Sequence, residues 1–141
     1  MAYLLDTTAL SELTRPQPNG GFIKWLSVHA AEQTFVGAPS IGELEIGIAL
    51  LARSKKRASL ERWLEKLTAE FSERILSFDT KAARLWGRAV GQARRLGRTL
   101  PATDSQICAI AVVNSLAVVT RNVRHFEVDA FSDLSVINPW R

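Results

Sequence analysis

The sequence is poor in the residues on which disulfide-stabilised and zinc-binding domains depend. Its 141 residues include one cysteine and two histidines. A single cysteine excludes an internal disulfide framework, and it excludes a zinc ribbon, which needs several thiolate ligands. That cysteine, Cys108, lies in the apolar run "ICAIAVV". We therefore expect it to be a small buried side chain and not a reactive thiol.

Long apolar runs are also missing. No stretch approaches the roughly 20 apolar residues that a helix needs to cross a bilayer. The first residues, "MAYLLDTT", reach Asp6 before an apolar region of signal-peptide length can form. We expect a cytoplasmic protein that does not enter a membrane.

What is present is typical of one globular domain, spanning 1–141. The chain is 47% apolar and 23% charged, and at this length roughly two thirds of the extended-chain surface can be buried. The formal net charge is +4 and the isoelectric point is about 9.7. This charge favours polyanionic partners such as nucleic acid, and a basic surface that serves only solubility explains it equally well.

Short apolar segments alternate with amphipathic ones along the chain. This alternation predicts an α/β fold in which helices cover both faces of a parallel sheet. In such folds the ligand crevice lies at the carboxyl ends of the strands. Strands are predicted at 2–5, 34–37, 74–78, 117–120 and 134–137, and helices at 8–13, 22–30, 39–52, 60–71, 80–97 and 105–115.

Two local signals concern helix starts. The run "RSKKR" (53–57) is predicted to be a basic turn before the helix at 60–71. The run "TDSQ" has the spacing of a capping box, in which Thr103 caps the helix and Gln106 reaches back. Asp104 then lies in the first turn and is not needed as the cap. It could serve only the helix dipole, or, because the helix behind it is apolar, it could hold a partner such as a metal.

Other acids lie where a site could form. Asp6 directly follows the first strand, where it could cap the next helix or face the crevice. Glu43 and Glu45 share one apolar helix, and their spacing does not tell which of them turns inward. Clustered carboxylates repel one another and need a cation, and oxygen ligands suit Mg²⁺ or Mn²⁺. Together with the basic surface, this pattern indicates a metal-dependent nuclease.

One rival enzyme class shares part of this pattern. Phosphatases of the haloacid dehalogenase type also place an aspartate after the first strand, but their chemistry requires a second acid two residues further on. Here that position is Thr8. The sequence therefore disfavours this class.

Five motifs, in order along the chain, resemble those of the PIN-domain ribonucleases. The resemblance is strongest to the VapC and FitB toxins of bacterial toxin–antitoxin pairs, and it runs from end to end. The motifs are "YLLDTTALSEL" (3–13), "SIGELEIGI" (40–48), "LPATDSQICAIA" (100–111), "VVTRNVRHF" (118–126) and "NPW" (138–140).

The resemblance implies a fold and a site. The fold is a three-layer α/β/α sandwich whose parallel sheet has strand one at its centre, strands two and four beside it, and strands three and five at the edges. The implied activity is endonucleolytic hydrolysis of RNA by a water that Mg²⁺ or Mn²⁺ activates, leaving a 5′-phosphate and a 3′-hydroxyl. By motif, Asp6, Glu43 and Asp104 would be the catalytic metal ligands, which selects Glu43 over Glu45. Thr120 and Asn122 would support the site.

His125 departs from the family pattern, because many relatives carry a fourth acid at this position. One hypothesis is a site with three acids and one firmly held metal, in which a neutral imidazole suits Mn²⁺ better than Mg²⁺. His125 could instead act as a base or an acid. The remaining alternative is a loop histidine that faces solvent.

The resemblance also implies partners. These are a cognate antitoxin, usually a small protein that binds operator DNA and blocks the site, together with an RNA substrate and a second copy in a homodimer. Operator DNA would be bound only through the antitoxin. The alternative is a PIN-like protein that binds nucleic acid or a partner and cuts weakly or not at all.

Overall fold

The computed structural model describes residues 1–140 and shows five parallel strands in one sheet. The strands are β1 (Tyr3–Leu5), β2 (Thr34–Gly37), β3 (Ile75–Leu76), β4 (Ala117–Val119) and β5 (Val136–Ile137), in the order β3-β2-β1-β4-β5. This order confirms the arrangement that the resemblance implied. All four pairings are parallel, so the carboxyl ends of β1, β2 and β4 meet at one edge.

Helices connect the strands and cover both faces of the sheet, which confirms the α/β prediction. Every parallel pair needs such a crossover, because a short turn cannot return the chain to the same end of the sheet. The helices are α1 (Thr7–Glu12), α2 (Gly20–Ser27), α3 (Ala38–Ala49), α4 (Lys55–Glu70), α5 (Thr80–Arg95) and α6 (Ala102–Val113). None of the helices within residues 1–140 has both the length and the apolarity that a membrane crossing requires.

Alternate residues of the central strands contribute side chains to two hydrophobic cores. Leu4 and Val118 point to a core that α5 and α6 complete. Leu5 and Val119 point to the opposite core, with side chains from α1, α2, α3 and α4. This alternation follows from the two-residue period of a strand. It produces the three layers and leaves the carboxyl edge of the sheet for polar residues.

Two predictions about helix starts are wrong. The basic residues from Lys55 to Arg57 form the first turn of α4, because the hydroxyl of Ser54 accepts a hydrogen bond from the Arg57 backbone N–H at 3.1 Å and caps the helix earlier. The capping box at Thr103 does not form. Helix α6 begins at Ala102, after Pro101, and no side chain caps it. Asp104 nevertheless lies in the first turn, as predicted.

Gly37 sets the approach of α3 to α6. A Cβ atom at this position would lie 2.8 Å from the Cδ1 atom of Ile107, which is well inside van der Waals contact. Gly37 ends β2 and immediately precedes α3, while Ile107 lies in α6. The absence of a side chain here lets the helix that carries Glu43 pack close to the helix that carries Asp104.

Candidate active site

Asp6 follows β1 directly and is 1% exposed. Its Oδ1 atom accepts hydrogen bonds from the Ala9 backbone N–H at 2.9 Å and from the Thr8 hydroxyl at 2.7 Å, so Asp6 is the cap of α1. Its Oδ2 atom is buried and has no hydrogen-bond partner within residues 1–140. Oδ1 thus caps the helix, as the sequence suggested. Because a buried acceptor without a partner is costly, Oδ2 is available to a ligand.

The pKa of Asp6 is raised above its usual value, mainly by burial. The hydroxyls of Thr120 and Thr8 and the Ala9 backbone N–H oppose this shift, and the negative charge of Asp104 adds to it. Thr120 is fully buried after β4. It lies close enough to lower the pKa of Asp6, yet it does not reach Oδ2 as a well-aligned donor.

Asp104 lies in the first turn of α6, with 18% of its side chain exposed. Burial raises its pKa, and the nearby charge of Glu43 raises it further, while His125 lowers it. These Coulombic effects show that Asp104 is close to both Asp6 and Glu43. The three predicted acids are therefore neighbours although the chain separates them widely.

His125 is in contact with this acid cluster. Its Nδ1 atom lies 2.7 Å from Oδ2 of Asp104, and about half of its side chain (49%) is exposed. A turn of 3₁₀ helix over Val123–Phe126 presents the ring, and buried Phe126 anchors that turn in the core. The histidine is consequently not a loop residue that faces only solvent.

Two of the three predicted acids, Glu43 and Asp104, line a cavity of about 540 Å³ at the carboxyl edge of the sheet, and buried Asp6 lies behind its wall. Glu43 is exposed on α3 and lines this cavity, whereas Glu45 does not line it. Asn122 also lines the cavity, and its backbone N–H donates to the hydroxyl of Thr120 at 2.9 Å. The structure thus brings together the predicted site residues, namely Asp6, Glu43, Asp104, Thr120, Asn122 and His125.

The cavity wall contains one acid that sequence reasoning missed. Glu12 is 3% exposed and accepts from the Trp140 indole N–H and from the Asn19 backbone N–H, both at 2.9 Å. The hydrogen bond from Trp140, followed by that from Asn19, lowers the pKa of Glu12. Trp140 and Asn19 thus cover Glu12, which itself lies near the surface of the fold. No spacing signal announces this role, because it depends on the fold bringing residue 140 back to α1.

The donor chemistry of the cluster fits a hard divalent cation. Carboxylate oxygens suit Mg²⁺ or Mn²⁺, and the raised pKa values of Asp6 and Asp104 show that burial outweighs the hydrogen bonds that favour their charged forms. Within the described part of the chain, however, no three His, Cys, Asp or Glu side chains converge closely enough to hold an ion as they stand. Exposed Glu43 is the ligand that would have to turn toward the other two.

Comparisons with known proteins identify the family of this fold. The PIN domain family model matches residues 3–130. Toxin FitB of Neisseria gonorrhoeae is 37% identical over 138 residues, and the plasmid stability protein StbB of Pseudomonas syringae is 36% identical; each alignment covers 97% of both chains. A VapC ribonuclease of Sinorhizobium fredii is 30% identical over 97% of this chain and 96% of its own.

Solved structures give the same result. The FitAcB structure from Neisseria gonorrhoeae superposes with a TM-score of 0.85 at 37% identity and covers 99% of both chains. FitAB bound to a DNA fragment also gives 0.85, at 35% identity over 99% of this chain and 96% of the other. With a family model matched over most of its length and relatives this similar over nearly all of it, the chain belongs to the PIN domain family.

Proposed function

We propose that this protein is a divalent-metal-dependent endoribonuclease, the toxin of a toxin–antitoxin pair. The observation that carries the proposal is the buried Oδ2 atom of Asp6, which has no partner among residues 1–140 and lies beside a second acid whose pKa is also raised. Keeping both carboxylates ionised there costs free energy that a bound cation would offset, and the arrangement lies at the sheet edge where α/β proteins bind ligands.

In this proposal Asp6, Asp104 and Glu43 hold Mg²⁺ or Mn²⁺. The bound ion would supply charge to stabilise a phosphodiester and to lower the pKa of a water. Asp6 is fixed by capping α1, so its second oxygen is held ready with little freedom to lose. Thr120 orders the loop through Asn122, and His125 orients Asp104 by contact with one of its oxygens.

RNA is the substrate that the relatives and the charge favour. One relative is named a VapC ribonuclease, and the present chain carries a net charge of +4. Cationic side chains supply most of the sequence-independent affinity for a phosphate backbone.

The proposed partners follow from the same relatives. FitB is named a toxin, and FitAB has been solved on a DNA fragment. We infer that this chain binds a cognate antitoxin, that the pair forms a higher assembly through a homodimer of the toxin, and that operator DNA is contacted through the antitoxin. We also infer that the protein acts in the cytoplasm, where RNA and the antitoxin are available.

Cleavage of a mixed RNA substrate with Mg²⁺ or Mn²⁺ tests the activity. The parent and Glu45→Gln should cut RNA, Asp104→Asn should not, and EDTA should stop cleavage. Glu45 is the matched control because it is an exposed glutamate of α3 that does not line the cavity. Equal cutting by the parent and Asp104→Asn would indicate a contaminating nuclease and would overturn the proposal.

A second candidate is a PIN protein that binds without cutting. It is favoured by the lack of convergence of three ligands within the described residues and by His125 in place of an acid. The same assay separates the two candidates, because a non-cutting protein would retain RNA binding while neither metal produced cleavage by the purified parent.

A further inference from the structure

Two arginines line the same cavity as the acids. Arg15 and Arg121 both line it, together with Thr8 and Ser11. Both arginine side chains reach solvent, and the Arg15 side chain is 58% exposed. Glu12, Glu43 and Asp104 line the same cavity. The cavity wall therefore contains carboxylates that suit a metal and guanidinium groups that suit an anion.

Buried Glu12 lies beside the Arg15 guanidinium without consuming its hydrogen-bond donors. Its two oxygens already accept from Trp140 and Asn19 at 2.9 Å, while Nη1 of Arg15 stands 3.6 Å from Oε1. The positive charges of Arg15 and Arg121 both act on Glu12. A guanidinium has five N–H donors, so most of them remain available to a ligand.

The Arg121 backbone is fixed relative to the acids. Its N–H donates to the Thr8 hydroxyl at 3.2 Å, and the same hydroxyl donates to Oδ1 of Asp6 at 2.7 Å. Its guanidinium makes no hydrogen bond or ion pair to another described residue that would hold it elsewhere. Two hydrogen bonds thus connect the Arg121 backbone to the carboxylate that caps α1, and the guanidinium extends from this fixed backbone into the lining of the cavity.

We infer that Arg15 and Arg121 form a subsite for a non-scissile phosphate of single-stranded RNA. This inference rests on the proposed ribonuclease function and adds the position of the neighbouring nucleotide. A phosphate next to the scissile one would be repelled by the acids, and these arginines are the cations that line this cavity. Guanidinium groups bind phosphate oxygens in pairs, which fixes orientation as well as charge.

The subsite acts on binding and not on the chemical step. Removing either arginine should raise KM and leave kcat within about twofold of the parent, because the contact is equal in the ground state and the transition state. Each lost phosphate contact should also reduce the dependence of log K on log salt by about 0.7 for a single strand. Arg121→Lys should keep that salt slope and recover part of the affinity, because the charge remains while the paired hydrogen bonds are lost.

Equilibrium binding of a fluorescent single-stranded RNA of mixed sequence, in EDTA and over a series of KCl concentrations, tests this directly. Arg15→Ala and Arg121→Ala should each weaken binding about tenfold and flatten the salt slope. Arg62→Ala is the matched control, since Arg62 is exposed on α4 and does not line the cavity. It should bind as the parent does.

Three results would overturn the subsite. Parental affinity and slope in both arginine variants would do so, as would an equal loss in Arg62→Ala, which would show a general charge effect. The third is an unchanged KM in both arginine variants, when the parent protein binds and cuts RNA. If the parent neither binds nor cuts RNA, the proposed function fails as well, so the two failures are distinguishable.

Discussion

At the level of single residues, burying the carboxylates of the candidate site costs free energy. Asp6 and Asp104 are drawn out of water beside each other, and burial raises the pKa of both. The sequence predicted these positions because Asp6 directly follows an apolar strand and Asp104 begins an apolar helix. It could not predict Glu12, whose burial depends on a tryptophan 128 positions away.

The raised pKa of Asp6 predicts a pH dependence of stability in the metal-free protein. Between its usual value of 3.8 and its higher folded value, the folded state binds more protons than the unfolded state, so the free energy of unfolding falls as pH rises. Asp6→Asn cannot ionise. Its stability relative to the parent should therefore increase from about pH 4 upward and then level off.

Urea denaturation in EDTA at several pH values measures this difference. Asp79→Asn is the matched control, because Asp79 also caps a helix through Oδ1, at 2.9 Å from the Ala82 backbone nitrogen, but is exposed. A stability difference between Asp6→Asn and the parent that does not change with pH would contradict the account. Mg²⁺ or Mn²⁺ should stabilise the parent more than Asp6→Asn.

His125 gives a second prediction at this scale. Its contact with Oδ2 of Asp104 orients a proposed metal ligand, and loss of such a contact typically weakens metal binding 10- to 100-fold. His125→Ala should show a loss of about this size in calorimetric titration with Mn²⁺. His125→Asp should shift the preference toward Mg²⁺, because a carboxylate at this position adds an oxygen donor beside the proposed site. Parental binding, rate and metal preference in both variants would mean that His125 has no role in the site.

At the scale of elements, the C-terminal segment completes the wall of the site. Trp140 stacks on buried Phe22 at 4.5 Å between ring centroids and donates its indole N–H to Glu12 at 2.9 Å. The Asn19 side chain caps α2 through the Phe22 N–H, and its backbone N–H donates to Glu12. One carboxylate therefore ties α1, the start of α2 and the end of the chain together.

Trp140→Phe should lower the free energy of unfolding by about 1.5 kcal/mol more than a matched tryptophan change. The value is the lower end for a hydrogen bond to a charged acceptor, since Glu12 lies near the surface. Trp63→Phe is the comparison, because Trp63 is half-buried and donates no indole hydrogen bond within residues 1–140. Equal losses in the two variants, measured by urea denaturation, would show that the bond to Glu12 contributes nothing.

The errors in element boundaries have local causes. The capping box at Thr103 was favoured by side-chain spacing, but the backbone after Pro101 already allows a helix to begin at Ala102. The basic run at 53–57 was predicted to be a turn before the helix. Ser54 caps the helix within this run, and the basic residues after it form the exposed first turn of α4. In both cases a backbone feature next to the motif decided the boundary.

For the molecule as a whole, the fold and most residues of the candidate site could be predicted from the sequence. Alternating short strands and helices predict a covered parallel sheet, and a parallel sheet brings the residues after β1 and β4 to one edge. That is why Asp6, Thr120 and Asn122 could be placed together in advance. The two arginines of the cavity wall could not be predicted, because only the fold brings Arg15 and Arg121 to the same cavity.

The proposed divalent-cation site of Asp6, Asp104 and Glu43 can be seen directly in crystals. Crystals of the parent protein should be grown with Mn²⁺, and data collected where manganese scatters anomalously. We expect an anomalous peak within bonding distance of Oδ2 of Asp6 and of the Asp104 carboxylate, with Glu43 turned toward it. No peak between these carboxylates at saturating Mn²⁺, in a preparation that cleaves RNA, would contradict it.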